Sequence, residues 1–293
     1  MQLPPRGEYG LTRYPAAPAG RPPTDFSVTQ HRLSLAAPLA QDARDEWWAS
    51  ATLRLQQIDT RAVLADTGDP FPDELWDARL GLTYRHRFEN SWIAGGNLTV
   101  GSPSDRPFDS EDELVVRATA AVRVPARQRD AWLFTLNYAN HQEILSGLPL
   151  PGIAYLYVPS DRLQVVVGVP FTSVEVRPLE QTTLQLVYAP VRRVRARATY
   201  RPLPPLRLYA GFDWDHEFHL RASRPDPEDR LFYYEKRLTA GLRFDLRHVG
   251  VELAGGYAFD RFFFEGDSYG DRRDHRLDVD DGPFLTVRVS ARL

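Results

Sequence analysis

Hydrophobic and polar residues alternate with a period of two along most of this chain. The clearest example is the stretch 231–264, in which apolar residues such as Leu242 and Phe244 share one phase and charged residues such as Arg243 the other. A period of two places the two phases on opposite faces of a β-strand. The two strands, joined near Arg247, are each about fifteen residues long, against about 5–6 in soluble domains and about 9–11 in a membrane crossing. Their length favours a membrane-spanning sheet.

The same alternation predicts further strands throughout the sequence. A short candidate strand at 7–14 brings the total to fourteen, whereas splits at Val169-Pro170 and Ala189-Pro190 would bring it to sixteen. We therefore predict an all-β fold, a transmembrane antiparallel up-and-down β-barrel of about 14 strands (range 12–16) with a polar, charged lumen. The other candidate strands are 26–41, 46–60, 75–88, 92–102, 112–125, 131–140, 152–158, 163–177, 182–202, 206–219, 231–246, 248–263 and 283–293.

The connections between these strands alternate between short and long. Short ones fall near 42–45, 89–91, 126–130 and 247, and long polar ones at 61–74, 103–111, 141–151, 220–230 and 264–282. Outer-membrane barrels have short periplasmic turns and longer external loops, so the pattern is typical of that class. Residues 1–25 are rich in proline and are interpreted as an extended N-terminal arm, which leaves 26–293 as the barrel domain.

Composition excludes several other classes of protein. The chain has 293 residues, a formal net charge of −3 and no cysteine. There is no basic footprint for nucleic acid, and neither disulfides nor thiolate chemistry can occur. No apolar run is long enough for a transmembrane helix, and the N-terminus lacks the basic and apolar regions of an export signal. We expect a location in the outer membrane of a Gram-negative cell envelope, which requires such a signal; either the sequence is a mature or trimmed form, or the export interpretation is wrong.

The last strand, 283–293, supports export in another way. Leu285, Val287 and Val289 alternate with Thr286 and Arg288, and the chain ends on an apolar residue. Such a strand is similar to the assembly signal of outer-membrane barrels, although an aromatic end is more usual. We expect the partners to be the lipid bilayer and, through this strand, the barrel assembly machinery.

Two segments carry a family resemblance. They are PGIAYLYVPSDRLQVVVGVPFTSVEVRP at 151–178 and DRLFYYEKRLTAGLRFDL…GGYAFDRFFFEG within 229–266. They resemble an uncharacterised, domain-of-unknown-function family of bacterial outer-membrane β-barrel proteins. The resemblance implies fold and location, and it implies no activity or site residue.

The charged phases of the C-terminal strands form the candidate site. Within FDWDHEFH, residues 212–219, three carboxylates and one imidazole share a face, which suits a divalent cation or acid–base work. The alternative is a ladder of opposite charges across neighbouring strands, which stabilises a polar lumen. Arginines on one strand would also suit an anion-selecting constriction. The lumen cluster predicted from these patterns comprises Arg193, Arg195, Arg197, Asp213, Asp215, Glu217, His219, Glu235, Arg237, Arg243, Glu252 and Asp260.

Three functional hypotheses follow from these patterns. The first is an outer-membrane barrel, either a porin-like pore for small polar solutes or a closed structural barrel. The second is a barrel-borne hydrolase or metal-binding barrel that uses the 213–219 face. The third is a soluble all-β barrel. Because the sequence contains no specific catalytic motif, we predict that the protein is not an enzyme, and we predict no cofactor and no bound metal.

Overall fold

The computed structural model describes residues 4–141, 146–189, 193–273 and 275–292. In these ranges the chain forms one antiparallel sheet of seventeen strands, β1 to β17. Their bounds are, in order, Arg6–Ala19, Thr24–Gln41, Asp45–Thr60, Glu74–Arg87, Ile93–Ser104, Val115–Pro125, Ala131–Ala139, Leu150–Ser160, Leu163–Val169, Thr172–Leu179, Thr182–Ala189, Arg193–Leu203, Leu206–His219, Arg230–Asp245, Val249–Gly266, Leu277–Val279 and Gly282–Arg292.

The sheet closes on itself at β1. Tyr9 pairs with Leu33 of β2 on one side and with Val289 of β17 on the other. Sixteen strands form the ring, and the three-residue β16 fits between β15 and β1 at one end, where Ala19 pairs with Val279. A closed ring leaves no unpaired sheet edge, which is the condition for a sheet to cross a membrane.

The strand count corrects the prediction of about fourteen. The predicted strand 163–177 is two strands, because Pro170 cannot donate a backbone hydrogen bond and the chain turns there. The predicted strand 182–202 is also two, β11 ending at Ala189 and β12 beginning at Arg193, while residues 190–192 lie outside the described residues. Both changes follow the proline positions.

The N-terminal arm is a second correction. Residues 1–25 were interpreted as an extended arm with at most a short strand at 7–14, whereas Arg6–Ala19 forms a full barrel strand. Proline removes a ladder hydrogen bond, so it is usually confined to sheet edges and bulges. Here Pro15 falls at the register shift between Tyr14 and Ala17, where β1 bulges against β2, and the strand continues past it.

The two phases of each strand face opposite sides of the barrel wall. The apolar phase points outward, and Leu80, for example, is 69% exposed. The polar phase points into the lumen, where Arg243 lies opposite Glu252 on the next strand. Other half-exposed apolar residues on the outer face include Leu35, Leu82, Leu98, Leu136, Leu186, Leu208, Leu242, Val251 and Val287.

The two ends of the barrel differ in their connections. Arg6 and Arg292 pair at one end, which also carries the short turns such as 42–44 and 246–248; we call it the short-turn end. The opposite, long-loop end carries the connections 61–73, 105–114 and 267–281. Trp47 stacks on Tyr84 with ring centroids 4.3 Å apart near the short-turn end. In the described ranges, no helix has the length and apolar character needed to span a membrane.

Candidate functional site

Ion pairs between neighbouring strands cover the lumen side of β12, β13 and β14. The Nε atoms of Arg193 and Arg195 donate to Asp215 and Asp213, each at 2.6 Å. Arg237 on β14 reaches the other oxygen of Asp215 at 3.3 Å. The carboxylates therefore each face at least one guanidinium directly across the strand pair, the arrangement that stabilises cross-strand neighbours.

Glu252 forms the centre of a second group near the short-turn end of β15. It is 3% exposed and accepts hydrogen bonds from Tyr209 and from Arg288, both at 2.6 Å. Arg197 and Arg243 lie 3.9 and 4.0 Å from its other oxygen. One buried carboxylate thus lies within ion-pair distance of three arginines, which belong to three different strands.

Glu217 and His219 do not continue the ladder along the wall. Glu217 forms an ion pair with Arg54 of β3, on the other side of the lumen, and Arg54 also lies 3.8 Å from Asp77 of β4. His219 is 1% exposed, and its ring nitrogens make no hydrogen bond to the described residues. The strand therefore leaves the wall beyond Asp215.

The predicted acidic face therefore does not converge on one point. Asp213, Asp215 and Glu217 each contact a different arginine, on β12 or on β3. Among the residues that the structure describes, no group of three or more His, Asp or Glu side chains is placed to hold a metal ion.

Asp260 lies outside the lumen, which corrects its place in the predicted cluster. A bulge in β15 shifts the register between Tyr234 and Lys236, and Asp260 adopts the left-handed region at a φ of 52°. Its carboxylate accepts from Lys236 Nζ at 2.7 Å on the outward phase. Arg261, which is 3% exposed, takes the inward position, with its guanidinium 5.0 Å from the ring of Tyr14.

Glu235 takes part in the same inward network. Its carboxylate accepts from Tyr14 at 3.2 Å and from Tyr233 at 2.8 Å, and it lies 3.3 Å from Arg237. Because Tyr14 belongs to β1 and Glu235 to β14, the hydrogen bond between them connects two strands that are not neighbours in the sheet.

The long-loop ends of β13, β14 and β15 fold inward across the barrel. We call this segment, residues 216–235 and 261–266, the inward fold. Leu220 N donates to the Pro103 carbonyl at 2.7 Å, and Leu220 forms a parallel bridge with Ser104 of β5. Seven strands separate β13 from β5 in either direction around the ring. The inward fold therefore reaches the opposite wall.

Buried arginines anchor the inward fold to the long loops. Arg221 is 2% exposed and contacts Glu265 at 2.5 Å and Asp69 at 3.2 Å. Arg224 donates to the carbonyl of Asp112 at 2.9 Å. The anchor thus joins two separate loops, 61–73 and 105–114, to the segment that crosses the lumen.

Two aromatic clusters pack on opposite faces of the inward fold. Phe263 lies on one face, with ring centroids 4.8 Å from Phe71 and 5.5 Å from Phe26. The other face stacks Phe232 on Phe264 at 4.8 Å. Other members of the first cluster are Tyr14, Val28, Ile58, Leu64, Leu75, Leu231, Leu277 and Phe284; the second includes Val115, Phe218, Leu220, Tyr234, Phe262, Trp214 and Tyr269.

The described residues of the lumen enclose an upper and a lower cavity. The upper cavity, of ≈ 510 Å³, lies below the inward fold and is lined by residues of β2 to β4, β6, β7 and β11 to β13. The lower cavity, of ≈ 690 Å³, lies at the short-turn end. Thr52 of β3 lines both, so the cavities meet near the middle of the barrel.

Several residues of this site were missed by the sequence reasoning, which concentrated on the C-terminal strands. The lumen phase of β3 and β4 carries Arg54, Asp77 and Arg79, and these residues follow the same alternation as those of β12. The alternation in the sequence therefore already indicated that these three residues face the lumen. No pattern in the sequence indicated that β13 would turn towards β5, because that contact joins residues more than a hundred positions apart.

Comparison with known proteins gives structural neighbours only. No protein-family model matches the chain, and no curated protein matches it. The solved structures similar to it include an outer membrane channel from Pseudomonas putida F1, with 12% identity over 100% of this chain and 97% of that chain and a TM-score of 0.42. The β-domain of the Bordetella autotransporter BrkA has 12% identity, 99% coverage of both chains and a TM-score of 0.36.

A third similar structure is the Pseudomonas putida toluene transporter TodX. It has 8% identity over 99% of this chain and 89% of that chain, with a TM-score of 0.41. At these identities and TM-scores the likenesses assign neither family nor function, and the resemblance to a domain-of-unknown-function family stays a prediction. The architecture of this chain rests on its own strand pairing.

Proposed function

We propose that this protein is a channel of the bacterial outer membrane that passes small polar solutes through its lumen. The observation that carries the proposal is the reversed distribution of polarity across the barrel wall. Leucines such as Leu80 and Leu242 are 69% and 42% exposed on the outside, whereas Glu252 and Arg54 are buried inside. In water such an outer face would be a very large exposed apolar patch, so its natural surroundings are acyl chains.

The outward position of the apolar phase weighs against a soluble barrel, and the ion pairs of the acidic face give no support to an enzyme. A soluble barrel buries its apolar phase and exposes its charges, which is the opposite of the arrangement around Arg243 and Leu242. The acidic residues of 213–217 are engaged by arginines: a cross-strand ladder accounts for Asp213 and Asp215, and the ion pair with Arg54 accounts for Glu217. The last strand, β17, pairs with both neighbours over Gly282–Arg292, and we propose the C-terminal strand 283–293 as the segment recognised by the assembly machinery.

Reconstitution in planar bilayers tests the channel. We expect stepwise conductance from protein that migrates as a folded, heat-modifiable barrel. A folded barrel without conductance steps would leave only the closed, structural alternative.

Cysteine labelling tests the path, because the chain contains no native cysteine. Thr52 lines both cavities, and its neighbour Leu53 faces outward at 39% exposure. We expect a charged, water-soluble thiol reagent to reduce the conductance of Thr52→Cys and to leave that of Leu53→Cys unchanged. Equal responses of the two variants would contradict the assignment of lumen and lipid faces.

An arginine substituted on the outer face tests whether lipid surrounds the barrel. Leu80 lies midway between Trp76 and Tyr84 on the outward phase of β4. We expect Leu80→Arg to lower the free energy of unfolding in liposomes by about 2–4 kcal/mol, the cost of arginine at a bilayer midplane. The lumen variant Ser50→Arg is the control, with an expected change below about 1 kcal/mol in urea titrations.

A further inference from the structure

The charge along the lumen differs in sign from that of the chain as a whole. The formal net charge of the protein is −3. The upper cavity nevertheless has five arginines and two carboxylates in its lining, and the lower cavity six arginines and two carboxylates. The long loops hold much of the compensating acid, for example Asp109, Glu111 and Asp112 in the connection between β5 and β6. The arginine excess is therefore a property of the passage.

The carboxylates of the two cavities do not neutralise this excess of arginine charge, because Asp77 and Asp245 each contact two arginines. Asp77 lies 2.5 Å from Arg79 and 3.8 Å from Arg54, which also pairs with Glu217. At the short-turn end, Asp245 accepts from Arg207 at 2.6 Å and from Arg243 at 2.9 Å. Because these carboxylates already contact arginines, the positive charge of the remaining arginines faces the lumen.

Arg32 is the clearest case. It lies on the lumen phase of β2, is exposed to the upper cavity, and makes no ion pair within the described ranges. Its guanidinium shares the cavity with Arg79 of β4 and Arg193 of β12, which come from separate parts of the wall. Guanidinium groups that surround a water-filled space of ≈ 510 Å³ suit a small oxyanion, which they bind through charge-assisted hydrogen bonds.

We propose that the channel selects anions and that the upper cavity binds small solutes through a carboxylate or phosphate oxyanion, with Arg32 as a direct contact. This inference rests on the proposed channel function. Fixed charge of one sign between low-dielectric walls concentrates the opposite ion, and rings of arginine favour anions in pores. The anchoring ion pairs hold the cavity in shape, and the uncompensated arginines supply the selectivity.

Reversal potentials in a KCl gradient test the selectivity. We expect the native channel to prefer chloride and Arg32→Glu to shift the reversal potential towards potassium. The matched control is Arg13→Glu, because Arg13 lies on the outward phase of the neighbouring strand β1 and binds Thr29 there. The control is expected to keep the native reversal potential. A native channel that prefers potassium would overturn the inference while leaving the channel itself intact, and the absence of any conductance would instead count against the proposed function.

Inorganic phosphate tests the binding site. We expect phosphate to block the chloride current of the native channel, and Arg32→Gln to raise the half-blocking concentration by about tenfold, the effect of losing one hydrogen bond between charged groups. Arg13→Gln should leave the block unchanged. If phosphate blocks the native and Arg32→Gln channels at the same concentration, or blocks neither, the upper cavity is not an oxyanion site.

Discussion

Replacing Phe263 with alanine is expected to release the inward fold and increase the conductance of the channel. Phe263 is 2% exposed and joins the inward fold to the wall through Phe26 and to the connection 61–73 through Phe71. Truncation of a buried phenylalanine costs about 3–5 kcal/mol through lost burial and the cavity that remains. Because barrel closure is made elsewhere, by pairing along β1 and β17, this cost should act on the docking of the inward fold.

The expected size of the effect follows from that cost. A loss of about 3–5 kcal/mol raises the population of the released state by about 10²–10³-fold or more, since each 1.4 kcal/mol is a factor of ten. Single-channel recordings should show frequent or lasting steps of larger conductance. Limited proteolysis should cut the connection 220–229 faster than in the native protein, while the rest of the barrel stays resistant.

A control and a rescue make this prediction specific. Phe244→Ala removes an equally large ring from the outward phase of the same hairpin, where the side chain is 43% exposed, and should leave the conductance unchanged. In the Phe263→Ala background, Ser104→Cys together with Leu220→Cys should restore the native conductance on oxidation. Bridged strand neighbours lie about 5 Å apart, within the range of a disulfide.

Reduction of that disulfide should enlarge the conductance again. Unchanged conductance of Phe263→Ala, with the barrel folded and the loop still protected, would show that the aromatic cluster does not hold the inward fold in place.

Two adjacent glycines of β15 are expected to respond in opposite ways to a single added methyl group. A Cβ atom on Gly256 would lie 2.0 Å from the Leu238 carbonyl oxygen and 2.8 Å from the ring of Phe284. A Cβ on Gly255 would lie 3.6 Å from its nearest neighbour, which is an ordinary contact. Gly256→Ala must therefore displace backbone, whereas Gly255→Ala fits.

We expect Gly256→Ala to lower the free energy of unfolding by about 3 kcal/mol, the upper part of the range for overpacking. Gly255→Ala should change it by less than about 1 kcal/mol, with a stabilising contribution from the reduced entropy of the unfolded chain. Urea titrations of the folded barrel, followed by tryptophan fluorescence or gel mobility, measure both values. Equal stabilities would mean that β15 does not hold the register in which Gly256 meets Leu238.

The alternation of polar and apolar residues was sufficient to predict an all-β barrel and most of its strand boundaries. It also predicted which residues of β12 and β13 would face the lumen, and the pairs Arg193–Asp215 and Arg195–Asp213 follow from that parity and register. The count of fourteen was wrong, because a short proline turn interrupts the alternation for only two or three residues, and across Pro190 the alternation even continues in phase. A pattern of period two cannot separate two short strands from one long strand there.

Asp260 and the inward fold needed information that alternation does not carry. A bulge changes the phase by one residue, so the parity that placed Glu252 correctly in the lumen put Asp260 on the wrong side. The predicted ladder also kept Glu217 and His219 on the wall, whereas contacts with Arg54 and Pro103 draw that end of β13 across the barrel.

The sequence by itself determined the strands and the side of the wall on which most charges lie, because strand geometry couples each residue to its immediate neighbours. Only the tertiary structure decided how the ends of β13, β14 and β15 cross the lumen and which arginines are left facing the cavities. Those outcomes depend on contacts such as Leu220 with Ser104 and Phe263 with Phe26, and such contacts exist only after the ring has closed and brought distant strands to opposite walls.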